Sequence, residues 1–142
     1  MDVLLNIDVA DLKRGIHFYE AALGLRLSRT LFDGSAAELL GARCRLYLIE
    51  RDTHDAVTAN PDPWARHWTP IHPDFVVPDI VSAAARAVTA GATQETPIRT
   101  FGWGKLATFA DPFGNGFCLI EFVGEPYEVP GPTGTCIDTN RA

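Results

Sequence analysis

Cysteine is scarce in this chain: Cys44, Cys118 and Cys136 are the only three in 142 residues. An odd count without framework spacing argues against a disulfide-stapled fold and for a reducing cytoplasm. Positive charge is short too, with 12 Lys and Arg against 18 Asp and Glu, a net −6. That balance argues against nucleic acid or an anionic membrane as partner. No apolar run approaches the ~18 residues of a membrane span. The opening MDVLLNIDVADL has neither a basic leader nor a small-residue cleavage site, so it reads as a strand and not a signal peptide. No GxSxG elbow is present, which removes the usual serine-hydrolase signature. No glycine loop is placed to cradle phosphate, because Asp111–Gly116 reads as a hairpin turn. What remains is 46% hydrophobic and 21% charged residues, enough for one domain with a real core.

Within that domain one pattern occurs twice. Leu4–Leu12 (LLNIDVADL) and His72–Ile80 (HPDFVVPDI) are each a strand that runs into an Asp-capped helix, 68 residues apart. In the first copy Val3, Leu5, Ile7 and Val9 alternate with Leu4, Asn6 and Asp8, the period of a half-buried strand. Asp11 is the expected helix cap. Leu12, Ile16, Tyr19 and Leu23 form the expected apolar stripe, and Gly24 the stop. Strand-like runs follow at Arg26–Phe32, Ser35–Leu40 and Cys44–Ile49, with an Asp33-Gly34 turn between the first two. Cys44 falls on the apolar parity and is expected in the core.

The second copy repeats the order: strand His72–Val77, cap Asp79, stripe Ile80, Ala84 and Val88, stop Gly91. Runs at Gln94–Thr100, Lys105–Ala110 and Phe117–Phe122 follow. The expected organisation is one domain over residues 1–124, with unit one at 2–50, a linker at 51–71 and unit two at 72–124. Residues 125–142 are rich in Pro and Gly and read as a tail. The linker carries Trp64, His67 and Trp68, aromatics expected to pack over a core edge or to reach a ligand.

The segments VADLKRGIHFYEAALGL, VPDIVSAAARAVTAGA, FGWGK and ADPFGNGFCLIEF resemble the vicinal oxygen chelate superfamily. That group includes glyoxalase I, bleomycin-resistance proteins, fosfomycin-resistance enzymes and extradiol dioxygenases. The resemblance implies an α+β fold of two tandem βαβββ units, their sheets wrapped into a cup-shaped, partly open barrel with the helices outside. It also implies a homodimer whose second chain completes the cup. Metal-using members place four ligands on the concave face, one in the first and one in the last strand of each unit. Seven residues before Asp11 and Asp79 stand Leu4 and His72; the last-strand positions are Tyr47 and Cys118.

Leucine cannot ligate, and tyrosine needs a depressed pKa or a hard ferric ion. His72 is the one strong candidate, so no cofactor is expected, with a divalent metal as the less favoured possibility. Small-molecule binding without a complete family metal site is therefore the leading expectation. Asn6, Asp8, Arg45, Tyr47, His72, Asp74 and Cys118 line the site, and Trp103 stands at its rim. The two acids favour a cationic ligand, unless Asp8 and Asp74 are salt-bridged, for example to Arg45. Asp8 also stands where glyoxalase I has a basic residue for the glutathione carboxylate, which disfavours that substrate. The alternative is a divalent-metal lyase, isomerase or dioxygenase using His72 with Asp74, His67 or a partner-chain group. A third possibility is a regulatory domain with a vestigial cup.

Overall fold

The computed structural model describes residues 3–51, 62, 64–66 and 69–126. Unit one is β1 (Leu4–Val9), α1 (Leu12–Leu23), β2 (Arg26–Leu31), β3 (Ala36–Leu40) and β4 (Arg45–Glu50). Unit two is β5 (Asp74–Val76), α2 (Ile80–Ala90), β6 (Thr93–Gln94), β7 (Arg99–Phe101), β8 (Gly104–Ala110) and β9 (Gly116–Phe122). The α+β class and the tandem order expected from the sequence are both present. One expected strand differs: the run Gln94–Thr100 is two short strands, interrupted around Pro97, which has no N–H for the ladder.

Each unit forms its own sheet, ordered β1-β4-β3-β2 and β5-β9-β8-β6, with β7 also on β8. The parallel pairs are β1·β4 and β5·β9. No strand of one sheet pairs with a strand of the other among the described residues. The units meet instead through α1 against α2. A buried polar bridge reinforces that contact. The Tyr19 hydroxyl donates to Asp111 Oδ2 at 2.9 Å, and Asn115 Nδ2 donates both to Asp111 Oδ2 and to the Asp8 carbonyl. Burial raises the Tyr19 pKa well above its usual range, and the Asp111 charge adds to that. Burial also pushes the Asp111 carboxyl up, against the four donors that pull it down.

Both helices end as their sequences dictate. Asp11 accepts from the Arg14 N–H, and Asp79 from the N–H groups of Val81 and Ser82. Gly24 and Gly91 close the helices in the left-handed conformation. A second cap comes from the sheets. Glu50, the last residue of β4, accepts from the Leu12 N–H, and Glu121 in β9 accepts from the Ile80 N–H. Glu50 follows Tyr47 by three residues and Glu121 follows Cys118 by three, so these caps fix Tyr47 and Cys118 as equivalent positions.

The helix stripes differ in part from expectation. Phe18, Gly15 and Ala22 join Leu12 and Tyr19 in the buried face of α1, while Ile16 and Leu23 are partly buried at its margin. In α2 the buried face is Ile80, Ala83, Ala84 and Ala87, and Val88 is exposed. The alanines let α2 approach closely, which rotates the buried stripe away from Val88. Cys44 is half-buried and outside the core, because it precedes β4 and lies in the turn where parity no longer holds. The turn between β2 and β3 is built on Phe32 and Asp33, both at positive φ, with Gly34 following. Of the linker aromatics, Trp64 packs against the core and meets Phe113 edge-on. His67, Trp68 and the tail from residue 127 lie outside the described residues.

Candidate functional site

One face of each sheet carries the helix; the other is left open. In sheet one the helix face is Ile7, Val9, Leu46 and Leu48, all buried in the core. The opposite face presents Leu4, Asn6 and Asp8 from β1, with Arg45 and Tyr47 from β4. The strand registers align its central row as Asn6, Tyr47, Glu38 and Arg29. The equivalent row of sheet two is Asp74, Cys118 and Thr108. The expected site residues of each unit therefore do share a face. The open-face residues of the two units are on separate sheets.

A hydrogen-bond network on this face centres on Glu38. Glu38 is only 4% exposed. Its Oε1 accepts from the Tyr47 hydroxyl at 2.8 Å and from Arg45 Nη1 at 3.2 Å; its Oε2 accepts from Arg29 Nε at 2.8 Å. The Tyr47 hydrogen bond, followed by the Arg29 and Arg45 charges, holds the Glu38 carboxyl below the usual range despite burial. Glu38 and Arg29 were absent from the sequence expectation. A signal existed, since Glu38 is the lone polar residue of the strand AAELL. Arg45 pairs with Glu38 and with neither aspartate. Asp8 instead meets Arg51 at 3.5 Å, and Asp74 meets His72 Nε2 at 3.3 Å.

In sheet two, His72, Asp74 and Cys118 bring their donor atoms within 4.8 Å of one another. His72 precedes β5 and does not belong to it, contrary to the expected strand. Burial, and then the Asp74 charge, push the Cys118 thiol up to about 11, so the sulfur is held as a protonated thiol. His72 and Cys118 border a small open cleft of about 80 Å³ whose other walls include Arg66, Thr69 and Thr108. Arg66 forms a fork to Glu95 at 2.7 and 3.0 Å and lies over Gly116, where a Cβ would strike the guanidinium. No sequence pattern pointed to Arg66, which sits in the aperiodic linker.

Trp103 lies at the other end of the same face. It stacks on Phe101 at 4.8 Å and 3° and tilts against Phe122. Phe122 stands four positions beyond Cys118 in β9, about 13 Å along the strand. Trp103 is thus an aromatic platform distinct from the His72 cluster.

The four positions where the superfamily places metal ligands do not compose such a site. Leu4 has no donor atom and is 56% exposed. The Tyr47 hydroxyl donates its hydrogen bond to Glu38. His72 and Cys118 are joined by Asp74, but all three belong to unit two, and the sulfur is protonated.

Comparison with known proteins agrees with this architecture. A glyoxalase/bleomycin resistance protein/dioxygenase family enzyme from Burkholderia phytofirmans PsJN superposes with a TM-score of 0.69 at 18% identity, covering 87% of this chain and all of that one. The fosfomycin resistance protein FosX from Listeria monocytogenes gives 0.66 at 19% identity, over 87% and 91% of the two chains. TnmS3, an antibiotic binding protein from Streptomyces sp. CB03234, gives 0.62 at 22% identity, over 87% and 96%. At these identities the likeness shows the fold alone. No curated protein sequence matches the chain. Residues 4–120 match the model of the glyoxalase-like domain, and with the tandem units described above the chain belongs to that family, within the vicinal oxygen chelate superfamily.

Proposed function

We propose that this chain is a small-molecule binding protein of the glyoxalase and bleomycin-resistance type, working without a resident metal at the family position. The observation that carries the reading is the Tyr47–Glu38 hydrogen bond beside the donorless Leu4. Half of the family's ligand set is thereby committed elsewhere or missing. The neighbours described as an antibiotic binding protein and a fosfomycin resistance protein support a small molecule as the class of ligand. Asn6, Asp8, Arg45 and Tyr47 supply polar contacts from one sheet; His72, Asp74, Cys118 and Trp103 supply the other wall.

The ligand cup is completed by a second copy of the chain. Both open faces leave apolar side chains uncovered, Leu4 at 56% and Val76 at 65% exposure, and the two sheets share no strand pairing. A homodimer that sets sheet one of one protomer over sheet two of its partner covers both. No helix among the described residues is long and apolar enough to cross a membrane. The unpaired Cys44 and Cys118 suit the cytoplasm.

A second reading has one observation in its favour, the His72, Asp74 and Cys118 cluster. A divalent ion held there, with lyase, isomerase or dioxygenase chemistry, would first have to displace the Cys118 proton. Thermal-shift screening of small charged and aromatic molecules in EDTA separates the readings. Ligands that raise the melting temperature with EDTA present support metal-free binding. Stabilisation or turnover seen only after adding a divalent ion favours the second reading. No stabilisation by any compound, with or without metal, leaves the regulatory role of a vestigial cup.

A further inference from the structure

We infer that the open face of sheet one is a receptor for an oxyanion, and that the ligand carries a carboxylate-class group held by Arg29 and Arg45. This deepens the binding reading and rests on it. The two acids of the sequence motif suggested a cation instead. Asp8 already faces Arg51 and Asp74 faces the His72 imidazole, so neither is an unpartnered acid.

The chain is acidic overall, yet this patch is not. Four of its twelve Lys and Arg residues, Arg26, Arg29, Arg43 and Arg45, fall between residues 26 and 45. Arg26, Arg29 and Arg45 share the open face by register, and Glu38 is the one acid among them in those rows. Glu38 engages Arg29 through Nε and Arg45 through one Nη. Among the described residues neither Nη group of Arg29 has a protein partner, while Arg45 interacts with Glu38 and the Tyr47 hydroxyl and keeps further N–H groups beyond those. Their side chains are 57% and 62% exposed although each is anchored at one nitrogen. Two anchored guanidiniums with unused N–H groups are preorganised for a planar two-oxygen acceptor.

A purely structural role explains the arrangement less well. Exposed ion pairs add little stability, and a buried carboxylate carries a desolvation penalty that leucine at the same position would avoid. The equivalent position in unit two is the neutral Thr108, so the fold does not require a charge there. Glu38 is therefore a positioning residue: it orients the two arginines and the Tyr47 hydroxyl. Tyr47, Leu40 and Leu4 flank the arginines on the same face, which suits an apolar body attached to the anion.

Benzoate and benzylamine, similar in size and opposite in charge, test this at low salt on the full-length protein stripped of metal by chelator and then dialysed free of it. The readout is the Arg Nε–H resonances of a ¹H–¹⁵N spectrum, with calorimetry for affinity. Benzoate is expected to shift the Arg29 and Arg45 signals saturably in the millimolar range, and added salt to weaken it. Arg29→Gln and Arg45→Gln should each lower the affinity about tenfold. Each variant removes one charged donor from the buried Glu38 carboxylate, so a lower melting temperature is expected and affinities are compared well below it. Glu38→Gln should weaken benzoate while retaining both arginines. Benzylamine binding where benzoate does not overturns the inference and leaves the binding reading standing. Wild-type benzoate affinity in both arginine variants overturns it as well. Failure of both probes overturns it, and the binding reading then stands or falls on the wider ligand screen.

Discussion

Tyr19 and Asp111 are 92 residues apart in sequence and meet at 2.9 Å inside the protein. The tyrosine belongs to the first helix and the aspartate to the turn before the last strand. Together with Asn115 and the Asp8 carbonyl they bolt one unit to the other. The relative placement of the two open faces depends on this bridge.

Removing its parts should destabilise the fold in proportion. Tyr19→Phe deletes one of four donors to a buried carboxylate and is expected to cost about 1–2 kcal/mol. Asp111→Ala strands all four donors, including the Phe113 and Asn115 N–H groups, and should cost roughly 3 kcal/mol. Urea denaturation measures both. An unchanged midpoint for either variant contradicts the bridge.

Gly104→Ala is expected to be severe for a different reason. Gly104 opens β8 at φ +152°, and a Cβ there would collide with the Glu121 carbonyl oxygen on β9. The strands must separate locally, at roughly 2–4 kcal/mol. Thermal melting of the variant tests it, and a melting temperature equal to wild type refutes it.

Acid should weaken the protein partly through Glu38. Its folded pKa is depressed, as are those of Asp79 and Glu121. A depressed carboxyl contributes stability above its unfolded pKa, near 4.3 for glutamate, and loses it as pH falls through the folded value. Glu38→Gln should therefore be less stable at neutral pH and show a flatter decline below about pH 4. Urea midpoints against pH give both curves. A constant offset between them at every pH removes Glu38 from the acid response.

Cys118 should resist alkylation. A thiol pKa of about 11 leaves roughly a hundredfold less thiolate at pH 8 than an ordinary cysteine has. Iodoacetamide is expected to modify half-buried Cys44 ahead of Cys118, with mass mapping separating these two from Cys136. Asp74→Asn removes a charge that raises the thiol pKa and should speed labelling of Cys118. Labelling of Cys118 as fast as a denatured control contradicts the assigned environment.

Much of the architecture was legible because it is written in short-range patterns. Asp11 and Asp79 announce their helices, and the alternation Leu5, Ile7, Val9 announces the buried side of β1. The seven-residue step back from each cap located Leu4 and His72, and the Glu50 and Glu121 caps agree with the positions inferred for Tyr47 and Cys118. The failures were of longer range. Val88 has helical spacing but loses its place because alanines bring α2 closer to its neighbours. Glu38 drew no reading from its own strand because Arg29 on β2 and Arg45 and Tyr47 on β4 reach it only once the sheet is assembled. Arg66 depends on where an aperiodic linker crosses β9. The pairing of Asp8 with Arg51, and not with Arg45, follows from side-chain reach that no spacing encodes.

Metal content is the most direct test of a metal-free binding site. The protein is purified without a histidine tag, dialysed without chelator, and measured for Zn, Mn, Fe, Ni and Cu beside His72→Ala. The account predicts far less than one metal per chain, the same in both proteins, with benzoate affinity unchanged after chelator treatment and dialysis. A stoichiometric metal that His72→Ala abolishes would contradict it and return the His72, Asp74 and Cys118 cluster to the centre of the function.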